Sequence, residues 1–168
     1  YAVCSNASAY RTEPDIPLII PEVNSGHIDL IPHQQNRLNW PGFIVTSPNC
    51  TTTTAVMPLK PLHDAFGIQK LFVTSLQAFS GAGYPGLSAL DIQDNVIPFI
   101  SGEEEKIELE TRILLSQFDP KQQLPDEKMI VSAQANRVPV LDGHTVCLSI
   151  AFETTPTVAE AIKVLKNF

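Results

Sequence analysis

Apolar residues fall along this chain in short blocks separated by polar, proline-punctuated stretches, and the period of each block sets the element it predicts. Residues 1–4, 18–23 and 43–46 are short, mainly apolar runs that read as strands. Residues 70–78 carry Leu71, Val73 and Leu76 among polar neighbours and read as another, and residues 129–135 and 144–153 complete the strand set. In the last of these Leu148, Ile150 and Phe152 share one side of a period-2 strand, with Cys147, Ser149 and Ala151 on the other. Apolar or small residues on both sides predict cover on both, and Cys4 and Cys147 read as inert thiols buried in apolar strands. Helical spacing is clearest over residues 103–118, with Gly102 suited to a start, and again at Val158, Ala161, Ile162 and Leu165. Ile28, Leu30 and Ile31 mark a short helix or turn. A helix after Cys50 meets Pro58 and Pro61, which remove backbone donors and predict a kink or a break. Residues 80–86 form a glycine-rich loop. Strands that alternate with helices yet include hairpin-like neighbours predict an α+β fold, a mixed β-sheet covered by helices on one face.

The chemistry is concentrated in two places. Ser47-Pro48-Asn49-Cys50-Thr51 sets a cysteine at the mouth of a predicted helix, directly after a Pro-Asn turn. Unsatisfied N–H groups and the helix dipole at such a position favour thiolate over thiol, and thiolate is the form that attacks a carbonyl. The plain alternative is a small apolar residue in a turn. Far down the chain, residues 137–144 carry Arg137, Gly143 and His144, and a histidine distant in sequence is the usual acid/base partner of a thiol nucleophile. Taken alone, that histidine reads more readily as a surface or packing residue than as a catalyst, and Arg137 as a solvated one.

These segments resemble aspartate-semialdehyde dehydrogenase along nearly the whole chain and in consistent order. Ser5-Asn6-Ala7-Ser8-Ala9-Tyr10-Arg11 resembles its phosphate-site segment, and Pro21-Glu22-Val23-Asn24 the strand and turn that follow. Pro48-Asn49-Cys50-Thr51-Thr52 resembles the nucleophile motif, and Gln77-Ala78-Phe79-Ser80-Gly81-Ala82-Gly83 the glutamine and glycine-rich loop. Glu103-Glu104-Glu105-Lys106 and residues 137–144 resemble the substrate-binding and acid/base segments. The Thr-rich run after Cys50 and the Gly83-Tyr84-Pro85-Gly86 turn are more similar to the archaeal and fungal branch than to the common bacterial one.

The resemblance implies a fold like the catalytic and dimerisation domain of glyceraldehyde-3-phosphate dehydrogenase-like enzymes. It also implies NADP-dependent chemistry on L-aspartate 4-semialdehyde and phosphate, in lysine, methionine and threonine biosynthesis. Cys50 would be the nucleophile and His144 the group that takes its proton, with Gln77 orienting the substrate and Asn49 stabilising the oxyanion. Arg137 would clamp the α-carboxylate and Glu103 the α-ammonium, while Lys106 and Arg11 would lie at the phosphate; Glu104 and Glu105 are expected to face water or a neighbour. Ser80, Gly81 and Gly83 would lie against the cofactor. Malonyl-CoA reductase shares the cysteine chemistry but needs no α-amino site, so Glu103 together with Arg137 favours the amino-acid substrate.

Residues 1–168 are then expected to form a single catalytic and dimerisation piece, which the family precedes with a Rossmann domain and follows with a C-terminal segment. No Gly-x-Gly-x-x-Gly sits between a strand and a helix, so the main dinucleotide cradle is expected to be missing. On its own the chain is expected to associate as a homodimer or homotetramer, to bind NADP weakly, and to act only as a dimerisation module.

Composition narrows the field further. A chain of this length buries about 70% of its unfolded surface, and 43% hydrophobic residues with only 8 glycines argue against disorder. A net charge of −7 disfavours nucleic-acid binding, for which a basic face is expected. No apolar run approaches the ~20 residues of a membrane span. Three cysteines cannot all pair, and nothing resembles a secretory signal, so a reducing, cytoplasmic setting is expected. No metal site is expected.

Overall fold

Strand β1 (Ala2–Ser5) runs parallel to β2 (Phe43–Thr46) in a small two-stranded sheet. The computed structural model describes residues 1–168, the side chain of Ala89 excepted. The apolar run at 18–23 predicts a strand, but only Leu18 bridges Thr46, and Pro21 opens a short helix, α1 (Pro21–Asn24). The reason is local. Proline has no N–H for a ladder and its fixed φ suits the first turn of a helix. Asn24 then closes the bend, with Oδ1 accepting from Ile20 N–H (2.9 Å) and Nδ2 donating to Leu18 C=O (2.8 Å). A 3₁₀ turn leads into α2 (Ile31–Leu38), which Asn39 ends in the left-handed region (φ 52°).

Helix α3 (Cys50–Phe66) follows β2 and is continuous through Pro58 and Pro61, so the prolines do not break it. Each proline removes a single donor, and Thr54 and Pro58 lie on the exposed side, where solvent can serve the carbonyl left over. On the opposite side Ala55, Val56 and Leu59 are fully buried and hold the helix to the sheet. Burial of each large side chain of this kind contributes ~1.5–3 kcal/mol.

The main sheet is β4 (Ile130–Arg137), β3 (Ile68–Gln77) and β5 (Thr145–Phe152), in that order. β3 is central, parallel to β4 and antiparallel to β5, so the sheet is mixed as expected. Helix α4 (Ala89–Ile92) is a single turn with no periodicity long enough to announce it. Helix α5 (Glu103–Leu114) stops four residues short of the expected end; Leu115 and Ser116 turn the chain through bonds to Thr111 and Ile113 carbonyls. Helix α6 (Val158–Lys166) starts with a Thr157–Glu160 capping box.

Helices α3 and α5 cover one face of the main sheet, where Leu71 and Val73 meet Leu59, Ile107, Ile113 and Leu114. The other face is open. It carries Phe72, Ile130, Cys147, Ser149 and Ala151, all exposed. Cys147 is therefore not buried within this chain, because no element of the chain crosses that face; Cys4 is exposed on β1 as well.

The edge of β4 away from β3 is closed by other means. The N–H groups of Ala133, Ala135 and Arg137 donate in turn to Glu108 (2.9 Å), Glu104 (3.0 Å) and the Ile97 carbonyl (2.8 Å). Two side chains one helical turn apart on α5 thus substitute for a neighbouring strand.

Candidate active site

The chain leaves β2 at Thr46 and turns through Ser47-Pro48-Asn49 into α3, which places Cys50 at its first residue. Asn49 is the N-cap: Oδ1 accepts from the N–H groups of Thr51 (2.8 Å) and Thr52 (3.2 Å). Its own N–H donates to Glu110 Oε2 (2.6 Å), and Thr53 N–H donates to the Asn49 carbonyl (2.9 Å). Of the N–H groups from Asn49 to Thr53, that of Cys50 alone has no partner among the described residues. A free donor therefore sits beside an exposed sulfur.

His144, just ahead of β5, brings Nε2 to 3.4 Å from Cys50 Sγ. Its Nδ1 accepts from the Ala78 N–H (3.2 Å), so the neutral ring carries its proton on Nε2, facing the sulfur. The family resemblance implies a ring that takes the thiol proton; in this tautomer it donates instead. Burial pushes the His144 pKa below its ordinary value, the Arg137 charge pushes the same way, and Glu103 opposes both.

The ends of β3 and β4 supply the next two groups, since Gln77 and Arg137 are partners in the parallel register. Arg137 is 5% exposed and its Nη1 donates to the Ala78 carbonyl (2.6 Å). Burial lowers its pKa, while Glu103 and Cys50 raise it. Gln77 Nε2 reaches Glu103 Oε1 (3.4 Å), and the same oxygen accepts from Asn49 Nδ2 (2.5 Å). Lys106 Nζ lies 3.7 Å from Glu103 Oε2. Glu103 thus joins the nucleophile turn, the sheet and Lys106 at the first turn of α5.

The loop after β3 lies over this cluster. A Cβ on Gly81 would stand 2.7 Å from both Arg137 Nη1 and His144 Cε1, so only glycine lets the loop approach so closely. Ser80, Gly81 and Gly83 are exposed, and a Cβ on Gly83 would meet nothing within 4 Å.

Arg11 is placed differently from what its expected duty requires. Its guanidinium is turned inward, with Nη1 donating to Glu110 Oε1 (3.0 Å) and Nη2 to the Asn6 carbonyl (2.9 Å). Asn49 likewise has its side chain occupied, by the helix cap and by Glu103, rather than aimed as a free oxyanion donor. Glu105 is exposed as expected, whereas Glu104 caps Ala135. Glu110 and the Ala78 amide were not singled out in the sequence. The amide leaves no signal there, but Glu110 does: it interrupts the stripe 103-107-110-114, which is otherwise apolar beyond Glu103.

The comparisons with known proteins bear on the family and the fold. Residues 59–168 match the family profile described as "Semialdehyde dehydrogenase, dimerisation domain". An aspartate-semialdehyde dehydrogenase of Schizosaccharomyces pombe is 51% identical over 99% of this chain and 48% of its own length. One from Methanothermobacter thermautotrophicus is 52% identical over 91% of this chain and 44% of its own. The crystal structure of the Candida albicans enzyme with NADP superposes with a TM-score of 0.88 at 44% identity, covering 99% of this chain and 49% of that one. The chain spans about half the length of the relatives it matches, and the malonyl-CoA reductase alternative finds no support among them. On the matching profile, the identities and the fold, the chain belongs to the aspartate-semialdehyde dehydrogenase family.

Proposed function

We propose that this chain is the catalytic half of an NADP-dependent aspartate-semialdehyde dehydrogenase that works through a thioester on Cys50. The observation that carries this reading is the convergence at Cys50: an exposed sulfur 3.4 Å from His144 Nε2, beside the unpartnered N–H of its own residue. In the oxidative direction the Cys50 thiolate forms a C–S bond to the aldehyde carbon of L-aspartate 4-semialdehyde, and the C=O electron pair moves onto oxygen. Cys50 N–H and His144 Nε2–H would donate to that oxyanion. NADP, when bound, supplies the hydride acceptor for this direction and the hydride donor for the biosynthetic one. The exposed backbone at Ser80 and Gly81 and the open side of Gly83 leave room for it beside His144. Inorganic phosphate attacks the thioester carbonyl, the C–S bond breaks, and Cys50 leaves as thiolate with 4-aspartyl phosphate as product.

Substrate orientation follows from the charges at the rim. Arg137 keeps guanidinium donors beyond the one used on Ala78, and a fork of that geometry suits the α-carboxylate. Glu103, with Lys106 beside it, supplies the negative charge for the α-ammonium; Lys106 is the cation left for phosphate, since Arg11 is held by Glu110. The open sheet face, with Phe72 and Ile130 on it, is the surface for a second copy of the chain, giving a homodimer that a tetramer would build on. Cys50→Ser in the full-length enzyme tests the reading: loss of hydride transfer with the fold retained is expected, and an active variant would overturn it.

A further inference from the structure

We propose that Glu110 is a positioning residue for the nucleophile, an inference that rests on the assignment of Cys50 above. Glu110 sits two turns along α5 from Glu103, on the same buried face, and is 2% exposed. One carboxylate oxygen accepts from the Asn49 backbone N–H and the other from Arg11 Nη1. The two glutamates therefore grip the residue before Cys50 at different points, Glu110 on its backbone and Glu103 on its side-chain amide.

The hydrogen-bond census of the helix start gives this grip a purpose. An α-helix leaves its first N–H groups without internal partners. Here Glu110 takes that of Asn49 and the Asn49 cap takes those of Thr51 and Thr52, which leaves the Cys50 N–H as the free donor. Without the Glu110 carboxylate the buried Asn49 N–H would be left without an acceptor, and the turn that aims both Sγ and the Cys50 N–H would lose its anchor. The second oxygen ties the turn to the first segment of the chain: Arg11 also donates to the Asn6 carbonyl, and the Asn6 side chain accepts from Ser47 Oγ (2.8 Å). Asn6, Arg11, Glu110, Asn49 and Ser47 thus form a closed ring of bonds around the Pro48 turn. Glu110 is buried behind Asn49, so it acts on catalysis through its neighbours and not by touching substrate.

The test uses the full-length enzyme with Glu110→Gln, which keeps the size and an acceptor oxygen but removes the charge that Arg11 holds. The rate is expressed per Cys50 thiol that substrate protects from alkylation, so that unfolded protein and the exposed thiols of Cys4 and Cys147 drop out of the count. A kcat lower by about tenfold to a hundredfold is expected, as small misplacements of a reacting group produce. The KM for the semialdehyde should stay within about threefold, because no substrate contact is removed. Glu110→Asp, which keeps the charge and shortens the reach, should fall between the two; it carries the test alone should the Gln variant not fold. An unchanged kcat per titrated thiol in a folded variant would overturn the proposal. Activity surviving in Cys50→Ser would instead overturn the assignment of the nucleophile, so the two failures are distinguishable.

Discussion

Helix α5 carries five glutamates within residues 103–110, and its two sides use them in opposite ways. Glu103 and Glu110 face the nucleophile turn, where each carboxylate is buried and bonded to Asn49. Glu104 and Glu108, about 100–160° further round the helix, reach the outer edge of β4 and accept from Ala135 and Ala133. Residue type is the same on both sides; angular position decides whether a carboxylate serves the chemistry or closes a sheet edge. The difference should be visible in experiment as a separation between variants that lose rate and variants that lose stability.

The largest effects belong to the site side. Glu103→Gln removes the charge that meets Asn49, Gln77 and Lys106, and charge-assisted bonds of this kind contribute ~1.5–3 kcal/mol each. Steady-state assay of the full-length enzyme should show kcat/KM for the semialdehyde falling by about tenfold to a hundredfold. A fall of less than about threefold would erase the distinction between the two sides of the helix. Arg137→Lys comes next, since the fork becomes a point charge and the Ala78 carbonyl loses its partner. It should lower kcat/KM by about tenfold, mainly through KM.

The edge side should behave differently. Glu108→Ala leaves the Ala133 N–H without an acceptor at a half-exposed position, which costs about 1 kcal/mol of stability. Denaturant unfolding should report that loss, hydrogen exchange at Ala133 should quicken, and kcat/KM should stay within about twofold. Glu108→Gln, which retains an oxygen at the edge, should restore most of the stability. A Glu108→Ala variant that loses rate but not stability would reverse the roles assigned here.

The smallest effect is a pH dependence shared by three histidines. Burial lowers the pKa of His27, His63 and His144 below 6.5. Below that value the unfolded chain binds protons that the folded chain refuses, so the stability these groups contribute is present above about pH 6.5 and lost as pH falls through their depressed values. Thermal unfolding should therefore shift to lower temperature between about pH 7 and pH 5. A transition that rises over this range would contradict the burial assigned to these rings.

Much of this is legible in the sequence. The Pro48-Asn49 turn marks Cys50 at a helix start, apolar residues among polar ones mark β3, period-2 alternation marks β5, and the helical spacing at Val158 and Leu165 marks α6. Where the reading failed, a tertiary partner decided the matter. Residues 18–23 look like a strand until Pro21 and the Asn24 side chain close the bend. Cys147 looks buried by pattern, yet its cover is not supplied within the chain. Arg11 could be assigned a ligand by resemblance, but its link to Glu110 spans 99 residues and leaves no local trace. The tautomer of His144 depends on a backbone amide, which no side-chain pattern records.

The most direct test of the central claim is to trap the acyl-enzyme. The full-length enzyme is mixed with NADP⁺ and the semialdehyde in the absence of phosphate, quenched in acid, digested and mapped by mass spectrometry. The aspartyl adduct is predicted on the peptide that contains Cys50 and on no other. An adduct on Cys4 or Cys147, or none under conditions where hydride transfer has occurred, would contradict the account.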